Sequence, residues 1–324
     1  MRENGTRFAH YTSADSGLKI LRSERMLLRN STLMNDFSEI RHGWECLLQA
    51  YNGPLGDRLR IALREVQQDL PEILQGNFNG QIYDVMSETY LLSVSEHGDA
   101  HGVGPGDDHE DRFGRLSMWR AYASKDGIAF IMNNAPFLNE SDALGAFTSP
   151  VAYAMPEGFQ PAFEEVVGAI EANLDKIKTL GGQFVHEMLM RAFRFAVQST
   201  KHPSFKEERE WRTIYSPSLL QKANLLSEAQ MARVPTEIMS LGGVPQRVFA
   251  LPFVDYPDEG FVGATIPALL NRVLIGPSQD SYAIRHAFVG ELIRLNVADA
   301  ESKVVITGVP LRCRFALRSD PGGT

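Results

Sequence analysis

"KHPSFKEEREWRTIY", Lys201 to Tyr215, joins two patterns that ordinary elements keep apart. Glu207-Glu208-Arg209-Glu210 reads as a solvated helix face. Trp211-Arg212-Thr213-Ile214-Tyr215 has the β-branched and aromatic content of a strand. If the strand begins near Glu208, period-two alternation puts Glu208, Glu210 and Arg212 on one face. Arg209, Trp211, Thr213 and Tyr215 then share the other. Two carboxylates two residues apart repel on an exposed strand, and Arg212 on the same face neutralises one. Two readings stay open: a structural ion-pair cluster at a helix–strand junction, or a carboxylate beside a cleft that stabilises a developing cation, as glycosyl transfer requires.

Outward from this junction, helical and strand patterns mix along the whole chain. "TRFAHYT" alternates as a strand, with Phe8, His10 and Thr12 on one face and Ala9 and Tyr11 on the other. Ser13 caps a helix through Leu18, Ile20 and Leu21. "MLLRNS" is a short strand. Asp36 and Glu39 have capping-box spacing ahead of a helix with Ile40, Trp44, Leu47 and Leu48. A further helix is expected over residues 55–70. "TYLLSVSEHGD" is a strand with Ser93 and Ser95 on one face, and residues 98–114 read as a mobile loop. A short helix "LSMWRAY", a turn at Asp126-Gly127 and a strand from Ile128 follow, then a short strand in "SPVAYA". Residues 159–199 give two helices broken at Gly181-Gly182, the second strongly apolar. Residues 219–244 read as an irregular connection with some helix. "QRVFALPFV", "RVLIGPS" and "KVVITGVPLRCRFAL" are strands, with a helix in "DSYAIRHAFVGELIRLN". The expectation is one compact α+β domain over residues 1–318, with a helical insertion at about 158–200 and a frayed tail at 319–324.

Hydrophobic residues make up 44% and charged residues 22% of the 324, enough apolar content for a sizeable core. The net charge of −8 supplies no general basic field for nucleic acid. Cys46 and Cys313 give no disulfide framework and suit a reducing compartment. "MRENGTRFAHYTS" lacks the apolar core of a signal peptide, and no window reads as a membrane span. A cytoplasmic location without membrane contact is expected.

The known nucleotide motifs are absent: there is no Walker loop, no Gly-x-Gly-x-x-Gly opening a helix and no Gly-x-Ser-x-Gly elbow. His97, Asp99, His101, Asp107, Asp108, His109, Glu110 and Asp111 have metal-ligand chemistry, but their spacing fits no closed zinc site. A solvated loop is the plainer reading, and no metal is expected. His10 and Thr12 project together from one strand. They could hold a ribose or carboxamide, or His10 could be a core imidazole bonded to a backbone carbonyl.

These pieces together resemble a bacterial family, domain of unknown function 2971. "FAHYTSADSGLKILRSERMLLRNSTLMNDFSE" is similar to its opening, a His-Tyr-Thr strand, a helix and an Asn-Asp-Pro-x-Glu element, with Phe37 here in place of Pro. "LLSVSEHGD" and "LSMWRAYASKDGIAFIM" resemble its middle. "KHPSFKEEREWRTIY" resembles its signature Lys-x-x-x-Phe-x-x-Glu-x-Glu-[Val/Trp]-Arg, and "RVLIGP" its late strand. More distantly, a His-x-Thr strand, a middle Ser or Tyr group and a late Glu-x-Glu resemble the ADP-ribosyltransferases, which bind NAD in a split β-sheet cleft.

That second resemblance implies a split-sheet cleft binding NAD as substrate, with an ADP-ribose acceptor that the sequence does not identify. It implies Glu210 as the carboxylate that stabilises the oxocarbenium-like transition state, Glu208 as the group that activates the acceptor, and His10 as the holder of the ribose, supported by Tyr11 and Thr12. Ser93 and Ser95 stand for the middle group, Tyr122 or Trp119 for a ring stacked on nicotinamide, and Arg29 or Arg212 for the pyrophosphate contact. Trp119 also reads as a core residue. Glu210→Ala and His10→Ala are expected to keep the fold and lose activity. The competing classes are a non-enzymatic module that senses an effector or binds a partner, for example in phage defence, and a metal-dependent nuclease using residues 99–111.

Overall fold

The computed structural model describes residues 5–34, 39–98, 109–123, 125–223 and 225–310. In chain order the elements begin β1 (Arg7–Ser13), α1 (Ala14–Ser23), β2 (Arg25–Asn30), α2 (Glu39–Tyr51), α3 (Pro54–Val66), α4 (Leu70–Ser87), β3 (Tyr90–His97), α5 (His109–Phe113), α6 (Leu116–Tyr122) and β4 (Gly127–Met132). Next come β5 (Phe147–Pro150), β6 (Ala152–Tyr153), α7 (Pro156–Ala172), α8 (Leu174–Leu180), α9 (Gly182–Ser199), β7 (Thr200–Lys201), β8 (Glu210–Tyr215), α10 (Pro217–Lys222) and α11 (Glu228–Arg233). The last are β9 (Thr236–Leu241), β10 (Val244–Pro252), α12 (Ile266–Leu269), β11 (Leu270–Ile275), α13 (Ser281–Arg294), α14 (Ala300–Lys303) and β12 (Val304–Ile306). The class is α+β. The chain divides into two compact units, Met1–Arg25 with Val94–Asn139 and Phe253–Thr324, and Met26–Ser93 with Glu140–Pro252.

In the first unit β1 lies between β3 and β4 and is antiparallel to both, with Ala9 opposite Ser95 and His10 opposite Phe130. β4 is buried at every residue, the mark of a strand covered on both faces. β11 pairs antiparallel with β4 and parallel with β12. On one face Ala9, Tyr11, Ala129, Ile131 and Leu274 pack under Met118 and Trp119 of α6. On the other, Phe130 meets Phe288 of α13. Gly17 of α1 lets Ile128 and Phe288 close in, since a Cβ there would lie 2.9 and 3.0 Å from their side chains. Ser13 caps α1 as its residue type predicts, its hydroxyl accepting from the Ser16 N–H at 3.1 Å.

The second unit carries the helical layer. The expected helix over 55–70 ends instead at Val66, and a new helix starts at Leu70 with Pro71 in its first turn. α2, α3 and α4 pack against α7 and α9 around Leu47, Leu63, Phe78, Val167 and Phe193. The stretch at 158–200 therefore shares one core with residues 39–87. A Cβ on Gly43 would strike the Val197 carbonyl, so glycine permits the close approach of α2 to α9. Buried Cys46 sits in this core, and burial pushes its thiol up to about 11, too high for a nucleophile at neutral pH. The strands of this unit include β2 beside β10, the β9–β10 hairpin, β5 paired antiparallel with β8, and β6 paired parallel with β7. The hairpin lies where an irregular connection was expected. Its signal was Gly242-Gly243, both at positive φ, which supply the tight turn between Leu241 and Val244.

Candidate carboxylate site

The site forms where the opening stretch changes conformation. α9 ends at Ser199, and Lys201 pairs in parallel register with Tyr153. Pro203–Glu208 is a 3₁₀ turn, opened by His202, whose Nδ1 accepts from the Ser204 N–H at 3.2 Å. Arg209 then takes the left-handed conformation, φ 43°, with its N–H on the Lys206 carbonyl, and β8 starts at Glu210. Glu208 is therefore outside the strand, which corrects the expected start near that residue. The left-handed turn interrupts the two-residue alternation, so the two carboxylates do not share a strand face.

Lys201 brings them together instead. Its Nζ donates to Glu208 Oε2 and to Glu210 Oε2, each at 2.8 Å, and sits 4.7 Å over the Phe205 ring. Arg212 donates from Nε to Glu210 Oε1 at 3.0 Å, from Nη2 to Oε2 at 3.3 Å, and from Nη1 to the Gln198 carbonyl at 2.8 Å. Ser93 Oγ donates to Glu210 Oε1 at 2.5 Å. The Glu210 N–H donates to the Tyr153 hydroxyl at 2.7 Å. Four donors thus occupy the roughly four lone-pair positions of the Glu210 carboxylate. The side chains of Arg212, Lys201 and Glu210 are 0%, 3% and 3% exposed, and that of Glu208 is 18% exposed. Two anions and two cations make a nearly dry, neutral set with a single partly open member.

Burial alone would push the Glu210 carboxyl up. Arg212 first and Lys201 second outweigh it and hold the group well below the usual carboxylate range. The sign of the pH effect follows. A folded-state value below the ordinary one of 4.5 stabilises the fold above about pH 4.5, and that stabilisation is lost as pH falls through the folded value near 2. Thermal melts of wild type and Glu210→Gln should therefore converge between pH 5 and pH 2. A stability difference that stays constant over that range contradicts the ionised assignment.

Other residues singled out in the sequence fall as follows. Ser93 meets Glu210, whereas Ser95, in the first unit, accepts from Arg115 Nη1 at 2.8 Å. His10 and Thr12 are half-buried on β1. The Tyr11 hydroxyl accepts from the Arg115 N–H at 2.9 Å, and its ring meets Trp119 edge-on at 4.8 Å. Trp119 is 2% exposed and donates from Nε1 to the Phe113 carbonyl at 2.7 Å, which makes it a core residue. Tyr122 packs half-buried against the same cluster. Arg29 lies on β2 and donates to the Leu33 carbonyl at 2.9 Å and to Gln246 Oε1 at 3.4 Å. Arg212 is committed to a carboxylate rather than to a phosphate.

The mobile-loop reading of 98–114 is replaced at its end by α5, held by ion pairs. Asp111 takes Arg7 at 2.6 Å and His97 Nε2 at 3.0 Å, and Glu110 takes Arg115 at 2.6 Å. Burial would raise the Asp111 carboxyl, but His97 and Arg7 hold it well below its usual range. Asp99, His101, Asp107 and Asp108 lie outside the described residues, as do Asn35, Asp36 and Cys313. Among the described residues no cluster of His, Cys, Asp and Glu has metal-binding geometry. No helix among them is long and apolar enough to cross a membrane.

Residues 118–213 match the model of a family described as Protein of unknown function (DUF2971). The match covers this central segment. It runs from α6 to β8 and contains Lys201, Phe205, Glu208, Glu210 and Arg212, the whole of the charged set. Ser93 and His10 precede the matched residues. No curated protein and no solved structure matches the chain. Of the residues that build this carboxylate site, sequence reasoning missed a role for Lys201, Tyr153 and Gln198. Lys201 stood in the quoted signature, but only the fold shows that its long arm reaches back over the turn. Tyr153 and Gln198 carried no local signal.

Proposed function

We propose that this chain breaks the glycosidic bond of NAD and transfers ADP-ribose to an acceptor or to water. The single observation that supports this reading is the 2.5 Å bond from Ser93 Oγ to Glu210 Oε1. The serine expected from the middle strand and the late carboxylate of the Glu-x-Glu pair are in contact, although 117 residues separate them. Glu210 is also ionised at neutral pH, as a group that stabilises a developing cation must be.

In the reaction the bond from the ribose anomeric carbon to the nicotinamide nitrogen breaks, and its electron pair leaves with nicotinamide, which becomes neutral. The ribose carbon gains oxocarbenium character, and the negative charge of the carboxylate pair, with Glu208 as its partly open member and Glu210 behind it, favours that state over the ground state. The acceptor then bonds to the same carbon and gives its proton to Glu208, the partly open member of the pair. Arg29, on the same unit, supplies the guanidinium suited to the pyrophosphate. His10, Tyr11, Thr12 and Tyr122 belong to the first unit, and their part in NAD turnover is tested by substitution separately from the carboxylate site.

The test is nicotinamide release from NAD by the purified chain, followed by chromatography. Wild type should release it. Glu208→Gln should lose about 10²-fold or more, the scale of a lost general base. Ser93→Ala and His10→Ala should also fall by tenfold or more. Absence of release from wild type across added protein, nucleic acid and small-molecule acceptors sinks the reading. NAD binding without turnover would favour the sensing module.

A further inference from the structure

We propose that Lys201 is a positioning residue of the carboxylate site, clamping Glu208 against Glu210 so that Glu208 is presented to the ligand; this rests on the carboxylate reading above. Three observations carry it. First, one ammonium bonds both carboxylates at equal length, 2.8 Å, although a left-handed residue separates them and they share no strand face. Glu208 ends a 3₁₀ turn and lies outside β8, so strand pairing does not place it. Second, Glu210 already has Arg212 and Ser93 on its oxygens, so the cation is not needed there for a first partner. Third, exposure is graded across the set. Lys201 and Glu210 are dry, while the Glu208 side chain keeps 18% of its surface. A cation buried behind a carboxylate orients it without competing for the outward face.

The geometry also explains the spacing of the stretch. Lys201 is fixed by its register with Tyr153, and the Glu210 N–H is fixed on the Tyr153 hydroxyl. One tyrosine therefore sets both the clamp and the anchor. Phe205, four residues after Lys201, lies under the ammonium at 4.7 Å, a cation–π contact that helps hold it in place. Lys201 touches no ligand in this account; it acts through Glu208.

The experiment compares Lys201→Met and Lys201→Arg in the full chain, with two readouts. Nicotinamide release should fall about 10²-fold in Lys201→Met, since a misplacement of about 1 Å can cost that much. Lys201→Arg should recover to within about tenfold of wild type. Carbodiimide-driven amine labelling of Glu208, read by mass spectrometry, should rise severalfold in Lys201→Met and stay near wild type in Lys201→Arg. Exposed Glu228 serves as the internal control. Wild-type turnover per folded molecule in Lys201→Met, or unchanged Glu208 labelling, overturns the proposal. If wild type itself releases no nicotinamide, the NAD reading fails and the labelling alone decides the clamp.

Discussion

Glu210→Ala is expected to lower stability by about 3–5 kcal/mol, the usual cost of removing one partner from a buried ion pair. In a unit of this size that corresponds to a fall in Tm of roughly 10 °C. The variant leaves Arg212, 0% exposed, with its Gln198 carbonyl contact but without its carboxylate, and takes one of the two carboxylates from Lys201. It also removes the carboxylate that the Ser93 hydroxyl bonds. From sequence alone this substitution is expected to spare the fold; burial of the cations reverses that. Activity lost in Glu210→Ala is therefore weak evidence for chemistry, and Glu208 and Ser93 are the better probes. The control is Glu210→Leu combined with Arg212→Met, which replaces charges by apolar volume and should recover more than half of the loss. A Glu210→Ala melt within about 2 °C of wild type would show that the pair is hydrated or replaceable.

Trp119→Ala is expected to cost about 3–5 kcal/mol in the first unit, the range for a buried large aromatic. The indole fills a space shaped for it. A Cβ on Gly276 would lie 2.7 Å from its ring, and one on Gly114 2.8 Å from Nε1, at a φ of +68° that glycine tolerates. Tyr11 stands edge-on, and the Phe113 carbonyl takes the indole N–H. Trp119→Phe keeps most of the volume but orphans that carbonyl, so about 1–3 kcal/mol is expected. Denaturant melts of both variants check the order. If Trp119→Ala instead melts like wild type and loses only NAD binding, the ring serves the ligand and not the core.

These two residues show where sequence reading stops. Trp119 stood in a short amphipathic helix, and both a stacking role and a core role were open; the helix was legible, its neighbours were not. Glu210 was legible as a carboxylate needing Arg212, because both lie in one strand at period two. Its bond to Ser93 and its salt bridge to Lys201 were not. Ser93 is far away in sequence, and the Lys201 contact depends on a left-handed residue, Arg209, that no propensity favours. The break between α3 and α4 at residues 67–69 and the Gly242-Gly243 hairpin had local signals that periodicity alone overran.

By itself the sequence determined the mixed α and β class, most strand and helix positions, the cap at Ser13 and the resemblance of the central segment to DUF2971. Those follow from local periodicity and turn chemistry, which act over a few residues. The tertiary structure decided which charges are dry and which carboxylate stays open. Desolvation and ion pairing depend on groups brought together from distant stretches such as Ser93, Lys201 and Arg212, and the spacing of residues along a chain does not fix their separation in space.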